Sequence, residues 1–337
     1  MDSLMDYALI WAVLIAVAVF AYVALDGFDL GMGILFPLVR NETHRDRMVN
    51  SVAPVWDGNE TWLVLGGGGL LAVFPLAYAI LMPALYMPVI AMLLGLIFRG
   101  VAFEYRFKSK GSKHWWDRAF MLGSMVAAFS QGVMLGAMLQ GVKVADRAYA
   151  GGWFDWLSPF TIFAGLAVCI GYALLGATWI IMKTDGELQQ KAYKWALNSA
   201  ILLILAIAGV SVYLVSTFEN VAERWLTWPG STALWLVPFA LAIIGGGLLN
   251  SLTKQQQGRP YLWALGVFLI AFLGFGASIF PYLVPFQVTL WEAAAPDNSL
   301  AFLLVGAAVL IPIIFAYTGY TYWVFRGKVS EDSGYHD

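Results

Sequence analysis

The chain has 337 residues, of which 61% are hydrophobic and only 12% charged, with a mean hydropathy of +0.74 and a formal net charge of −2. A soluble domain carries roughly 25% charged residues, so this composition cannot build a water-soluble surface. The single cysteine, Cys169, excludes an intrachain disulfide and a thiolate metal cluster, and it reads as a packing residue in an apolar run.

Apolar runs recur from end to end, each close to the roughly 20 residues that a helix needs to cross a bilayer. The first begins at Tyr7. No basic stretch precedes it, and Asp2 and Asp6 do, so no cleavable signal is read there. In chain order the expected membrane helices cover 7–39, 57–76, 78–104, 118–142, 158–182, 190–217, 232–251, 259–281 and 300–325. This is an all-α polytopic membrane protein with nine spans, read as one integral-membrane helical domain over 1–337. The first and third helices are longer than a bilayer requires, so their ends are expected to project into water.

The polar interruptions at 41–50, 106–117, 183–194 and 253–259 are short. None carries a glycine-rich phosphate loop between a strand and a helix, which leaves nucleotide-driven transport without support. Nine spans put the termini on opposite sides. Sixteen of the nineteen Lys and Arg residues then fall on the side of the C-terminus; only Lys143, Arg147 and Arg224 lie opposite. The positive-inside rule predicts an outside N-terminus and a cytoplasmic C-terminus. The basic loops read as topology signals and not as a nucleic-acid site.

Polar residues inside a membrane are costly and mark the place to look for function. The first cluster is Asp26-Gly27-Phe28-Asp29-Leu30-Gly31-Met32-Gly33. Asp26 and Asp29 are three residues apart and share a helix face. Gly27 and Gly31 form a GxxxG pair that lets another helix come close. Either the two acids are solvated at the headgroup level, or they line a polar cavity or a proton route. The second cluster is Trp56-Asp57-Gly58-Asn59-Glu60-Thr61-Trp62, followed by four consecutive glycines from Gly66 through Gly67 and Gly68 to Gly69. Asp57 and Glu60 resemble a capping box, and the glycines suit a helix backbone pressed against another helix or a bulky ligand. The third cluster is Phe98-Arg99-Gly100-Val101-Ala102-Phe103-Glu104-Tyr105-Arg106. Arg99 either snorkels to the headgroups or neutralises a buried carboxylate, Asp57 or Asp29; Glu104 is placed to pair across helices.

The histidines His44, His114 and His336 all fall in expected loops or the tail, and there is no HxxxH or HExxH signature. Haem iron in membranes usually takes an axial His or Met. The methionines read as packing, so no haem ligand and no metal site is assigned to this chain.

DGFDLGMG at 26–33, WDGNETWLVLGGG at 56–68 and FRGVAFEYR at 98–106, with the length and the nine-span layout, resemble subunit II of the cytochrome bd quinol oxidases. The likeness is strongest over the first 140 or so residues and continues, poorer in motifs, to the C-terminus. It implies a bacterial inner-membrane complex of the aerobic respiratory chain with a larger subunit I, which holds two b-type haems, one haem d and the quinol site. Such a complex reduces oxygen to water with protons taken from the cytoplasm and so generates a protonmotive force without pumping. The resemblance assigns a proton path at the subunit interface to Asp26 and Asp57, with Asp29, Arg99, Glu60 and Glu104 as neighbouring polar positions. It also implies a structural quinone in this subunit, for which the sequence identifies no pocket, and leaves room for a small accessory subunit. The family includes a cyanide-insensitive branch that this short chain would fit; inhibitor sensitivity itself belongs to the haem site of the partner.

Two other classes compete with this reading. A secondary transporter would place paired broken helices at the midplane of two repeats, but the acids here cluster in the first three helices with no matching pair in the last four. A purely structural membrane scaffold would use the same acids only as helix caps.

Overall fold

A computed structural model describes residues 5–109, 111–229 and 231–329; His336 and Lys110 lie outside them. The chain is a helical bundle. Helix α1 (Tyr7–Leu35) runs through a short 3-10 turn at Phe36–Leu38 into a surface helix, α2 (Glu42–Val52). Next come α3 (Trp56–Val73), α4 (Pro75–Ala84), α5 (Tyr86–Lys108), α6 (Lys113–Gln140), a hairpin β1–β2 (Val144–Ala145 and Ala148–Tyr149), α7 (Pro159–Lys183) and α8 (Gly186–Thr217). The remainder is α9 (Glu219–Leu226), α10 (Leu236–Thr253), α11 (Arg259–Ile279), a hairpin β3–β4 (Tyr282–Val284 and Val288–Thr289), the single turn α12 (Leu290–Ala293) and α13 (Asp297–Val324). Among the described residues eight helices, α1, α5, α6, α7, α8, α10, α11 and α13, are long and apolar enough to cross a membrane.

The ninth crossing departs from the sequence expectation. The spans expected at 57–76 and 78–104 are instead α3, an elbow bent by 120° into α4, and α5 starting at Tyr86. Pro75 is the cause: a proline removes the next helical N–H and crowds the preceding turn. Phe74 leaves helical geometry, and the carbonyl of Val73 is taken up by the backbone N–H of Ala295 at 2.8 Å. Residues 78–84 therefore belong to the folded-back α4, because hydropathy registers an apolar run but not its direction. The 41–50 interruption is likewise mostly helical, as α2, capped by the Asn41 side chain on the His44 N–H at 3.2 Å.

The helices meet along seams of small residues. Gly31 of α1 lies against the backbone of α7, where any Cβ would collide with the Tyr172 carbonyl oxygen, and a Cβ on Gly176 would sit 2.6 Å from Gly31. Gly95 and Gly123 do the same for α5 and α6, and Gly132 brings α6 onto Ala164 and Gly165 of α7. In a bilayer the close packing that small residues permit is a principal source of helix association.

One end of the bundle collects the basic residues and knits its elements together there. Arg106 of α5 bonds Asp117 of α6 and Asp46 of α2, each at 2.6 Å, and Arg45 reaches Asp117 at 2.9 Å. Arg47 donates to Asp185 at 2.8 Å and to the Val329 carbonyl at 3.1 Å, and it holds the exposed Asp185 carboxyl below the usual range. At the opposite end Arg224 of α9 donates to the carbonyls of Ala277, Ser278 and Phe280, where a cation suits the C-terminus of α11.

Replacing Gly31 with alanine should cost about 2 kcal/mol or more, through overpacking against the α7 backbone. Gly246→Ala, in α10 and open to space within 4 Å, should be neutral or stabilising by about 0.5–1 kcal/mol from helix propensity. Thermal unfolding of the purified complexes would check the contrast.

Candidate functional site

Three buried charges occupy the interface of α1, α3 and α5. Arg99 of α5 and both Asp26 and Asp29 of α1 are fully buried, with side-chain exposures of 0%. The Arg99 Nη2 lies 2.7 Å from Asp26 Oδ1 and 3.6 Å from Asp29 Oδ2, and its Nη1 lies 3.6 Å from Glu60 Oε1. Local sequence explains the convergence. A spacing of three residues stacks Asp26 and Asp29 on one face of α1, and Gly95 and Gly100 leave α5 room beside α6 and the Trp56 ring. Arg99 is thus neither a snorkelling residue nor a partner of Asp57. Its primary ion pair is with Asp26.

Asn59 of α3 completes the arrangement. Its amide donates to Asp29 Oδ2 at 2.8 Å and to the Leu25 carbonyl at 3.1 Å, while Tyr322 of α13 donates to its carbonyl oxygen at 2.9 Å. Aromatic rings close the site on the side of α7 and α11: Phe28 stacks on Trp179 at 4.0 Å, and Tyr261 and Tyr322 meet these rings edge-on. On the side of α6 a second polar branch begins one turn before Asp26. Tyr172 of α7 donates to Gln131 Oε1 at 2.6 Å, and Gln131 donates in turn to the Tyr22 hydroxyl at 2.9 Å. Sequence reasoning misses Asn59, Tyr322, Tyr22, Gln131 and Tyr172 as site residues; the available signal is Gln131, an amide in the middle of an apolar span.

The remaining candidates lie elsewhere. Asp57 is exposed on the outer face of α3, away from Asp26. It builds no capping box with Glu60: the N-cap of α3 is Val55, without a side-chain capping bond. Glu60 bridges the two environments, with its side chain 25% exposed and its carboxylate directed at Arg99. Glu104 is exposed and pairs within its own helix to Lys108 at 3.1 Å, not across helices. Gly27 faces the Tyr172 and Leu175 side chains and Gly66 faces Val19 of α1, whereas Gly67 and Gly68 meet nothing within 4 Å.

A site with three carboxyls and one guanidinium can gain or lose a proton and still keep an ion pair. It is enclosed on the α1 and α5 side and reaches the surface through Glu60.

The family model for cytochrome bd terminal oxidase subunit II matches residues 7–325. The chain belongs to this family. It is 33% identical over 363 aligned positions to cytochrome bd-I ubiquinol oxidase subunit 2 of Escherichia coli K12, covering 96% of this chain and 95% of that one. It is 30% identical to cytochrome bd ubiquinol oxidase subunit 2 of Bacillus subtilis, with 98% of each chain covered. The fold is shared with a chain of the bd oxidase from Geobacillus thermodenitrificans, at a TM-score of 0.74 and 17% identity over 95% of this chain and 99% of that one. The family expected from the three motifs is therefore the family found, and its match extends through the motif-poor half. The chain is a multi-pass subunit of a bd-type quinol oxidase, a haem-containing complex in which it is the partner of subunit I.

Arg99→Met should destabilise the subunit by about 3–5 kcal/mol, because it strands buried carboxylates. Asp26→Asn should cost less, since Arg99 keeps Asp29 and Glu60 within 3.6 Å. The yield of assembled complex and its thermal midpoint should rank wild type, Asp26→Asn, Arg99→Met in falling order.

Proposed function

We propose that this subunit supplies the oxygen-reducing subunit I with protons from the cytoplasm and braces it in the bacterial inner membrane. The observation that carries this reading is the buried Arg99–Asp26–Asp29 cluster with its surface arm at Glu60. The sidedness is supported by the charges: Arg45, Arg47, Arg106 and Lys113 gather at the end nearer this cluster, which the positive-inside rule makes cytoplasmic.

Asp57 fits this scheme through its position on α3. Asp57, Thr61, Val64, Gly67 and Gly68 are all exposed along α3, whereas Asn59, Trp62 and Gly66 are buried. Subunit I laid on that outer face would bury Asp57 beside Glu60 and turn an open acidic strip into an interface channel. The two glycines would then meet a partner helix, which small residues allow to come close. Protons entering at Asp57 and Glu60 would pass to Asp26, with Arg99, Asp29 and Asn59 holding that carboxylate in place.

Among the described residues the histidines are His44, buried on α2, which is not a membrane-crossing helix, and His114, exposed in the first turn of α6. In line with family membership, the b-type haems and haem d are assigned to subunit I, where they would supply the redox chemistry with quinol as donor. A structural quinone and a small accessory subunit remain part of what family membership leads one to expect.

The test is oxygen consumption by the complex carrying Asp57→Asn or Asp26→Asn. Turnover should fall by about a hundredfold, the lower end for loss of a proton-transfer group, while the visible haem bands keep their wild-type intensity. Normal turnover would remove the residue from the path. Loss of the haem bands together with activity would instead favour a purely structural role for the acids.

A further inference from the structure

The helix pair α10–α11 is an electrostatic exception within the chain. From Trp225 to Trp291 the sequence holds no Asp or Glu, and its two cations, Lys254 and Arg259, both stand at the turn between the two helices. Neither has an ion-pair partner among the described residues, a state shared with Arg118 and Lys194, but here no acidic side chain of the helix pair itself stands nearby. The positive-inside rule accounts for cations in this turn but not for the shape beside them.

That shape is an open groove of about 460 Å³ between the two helices, lined by Ile244, Gly247, Asn250, Gln256, Arg259 and Trp263, among others. Its polarity is graded along its length. Asn250, Gln256 and Arg259 cluster at the turn, while Ile244, Gly247, Leu262, Trp263 and Gly266 extend inward. From Arg259 to Gly266 the groove runs about 10 Å down α11, at about 1.5 Å per residue. The turn is also held in place. The Tyr193 hydroxyl of α8 donates to the Gln255 carbonyl at 2.8 Å, and the Gln256 N–H donates to the Ser251 carbonyl at 3.0 Å.

We infer that this groove is a binding site for an anionic phospholipid, with its phosphate at Arg259, Asn250 and Gln256 and an acyl chain along Ile244, Gly247 and Leu262. A guanidinium offers a fork of donors that matches phosphate oxygens, and the amides add neutral hydrogen bonds. The apolar floor begins where a glycerol backbone would end. A zwitterionic lipid brings a compensating cation that no acidic residue on this helix pair would receive, so the site selects for net negative charge.

The experiment uses the purified oxidase complex, stripped of lipid in mild detergent and titrated with phosphatidylglycerol or with phosphatidylcholine of the same chains. Bound lipid is counted by native mass spectrometry, and the haem spectrum verifies assembly. Arg259→Gln should raise the phosphatidylglycerol concentration needed for half-occupancy about fivefold, the ratio expected for one cation near a membrane surface. Phosphatidylcholine uptake should not change. Arg118→Gln, which alters a cation at the same end outside the groove, should leave both lipids unaffected. Equal retention of phosphatidylglycerol by wild type and Arg259→Gln would overturn the inference, as would an equal loss of both lipids. Arg259→Lys, which keeps the charge and loses the fork, should fall between the two. It also decides the question if the glutamine variant fails to assemble: phosphatidylglycerol retention equal to wild type would then overturn the site.

Discussion

Burying Arg99 is the constraint around which the first half of the bundle is arranged. A guanidinium with no exposed surface carries a desolvation cost of several kcal/mol, which only close counter-charges and hydrogen bonds offset. Asp26 at 2.7 Å provides the primary counter-charge; Asp29 and Glu60 stand farther off, at 3.6 Å. Two of these acids stand on α1 and the third on α3, so α1, α3 and α5 are bound in register by one side chain. The glycine seams make this possible: without the close approach of α1 to α7 and of α5 to α6, the carboxylates and the guanidinium would not meet in a dry interior.

Helix α3 has two chemically distinct sides. Positions two apart on a helix point about 200° away from each other, so Asp57 and Asn59 face opposite surroundings although they are near neighbours in sequence. The inward side fixes the buried cluster through Asn59, and the outward side presents Asp57, Thr61 and bare glycine backbone. Glu60 lies at the boundary. One helix thereby joins the interior of this subunit to the surface that a partner would cover, and the proposed route follows that junction.

Much of this organisation is legible in the sequence. Spans follow from apolar length, and the pairing of Asp26 with Asp29 follows from their spacing. The three motifs lead to the family. Other features resist because their signal is not local. The α3–α4 elbow hides in a continuous apolar run, where Pro75 marks a break but not a reversal. The sequence offers Asp57 or Asp29 as the partner of Arg99, and only the way α1 and α5 flank α6 brings the guanidinium to Asp26. Tyr22, Tyr172 and Tyr322 resemble ordinary aromatic packing until a hydroxyl is seen to have a partner. Asp57 stands out in the sequence for its charge; within this chain the structural position belongs to the uncharged Asn59.

Several closing bonds join the earliest helices to the last segment. The Val73 carbonyl at the elbow is satisfied by Ala295, the Trp11 indole donates to the Leu300 carbonyl at 3.0 Å, and Asn59 is held by Tyr322. Lys183 at the end of α7 donates to the carbonyls of Phe325 and Gly327. During synthesis, then, the helices bearing the charged cluster enter the bilayer long before the groups that finish their hydrogen bonding. In the interval the elbow carbonyl and the Asn59 side-chain carbonyl oxygen must rely on water, lipid headgroups or a chaperoning insertase. The bundle can reach its final geometry only once α13 has been inserted, which sets the earliest moment at which subunit I could dock against a finished surface.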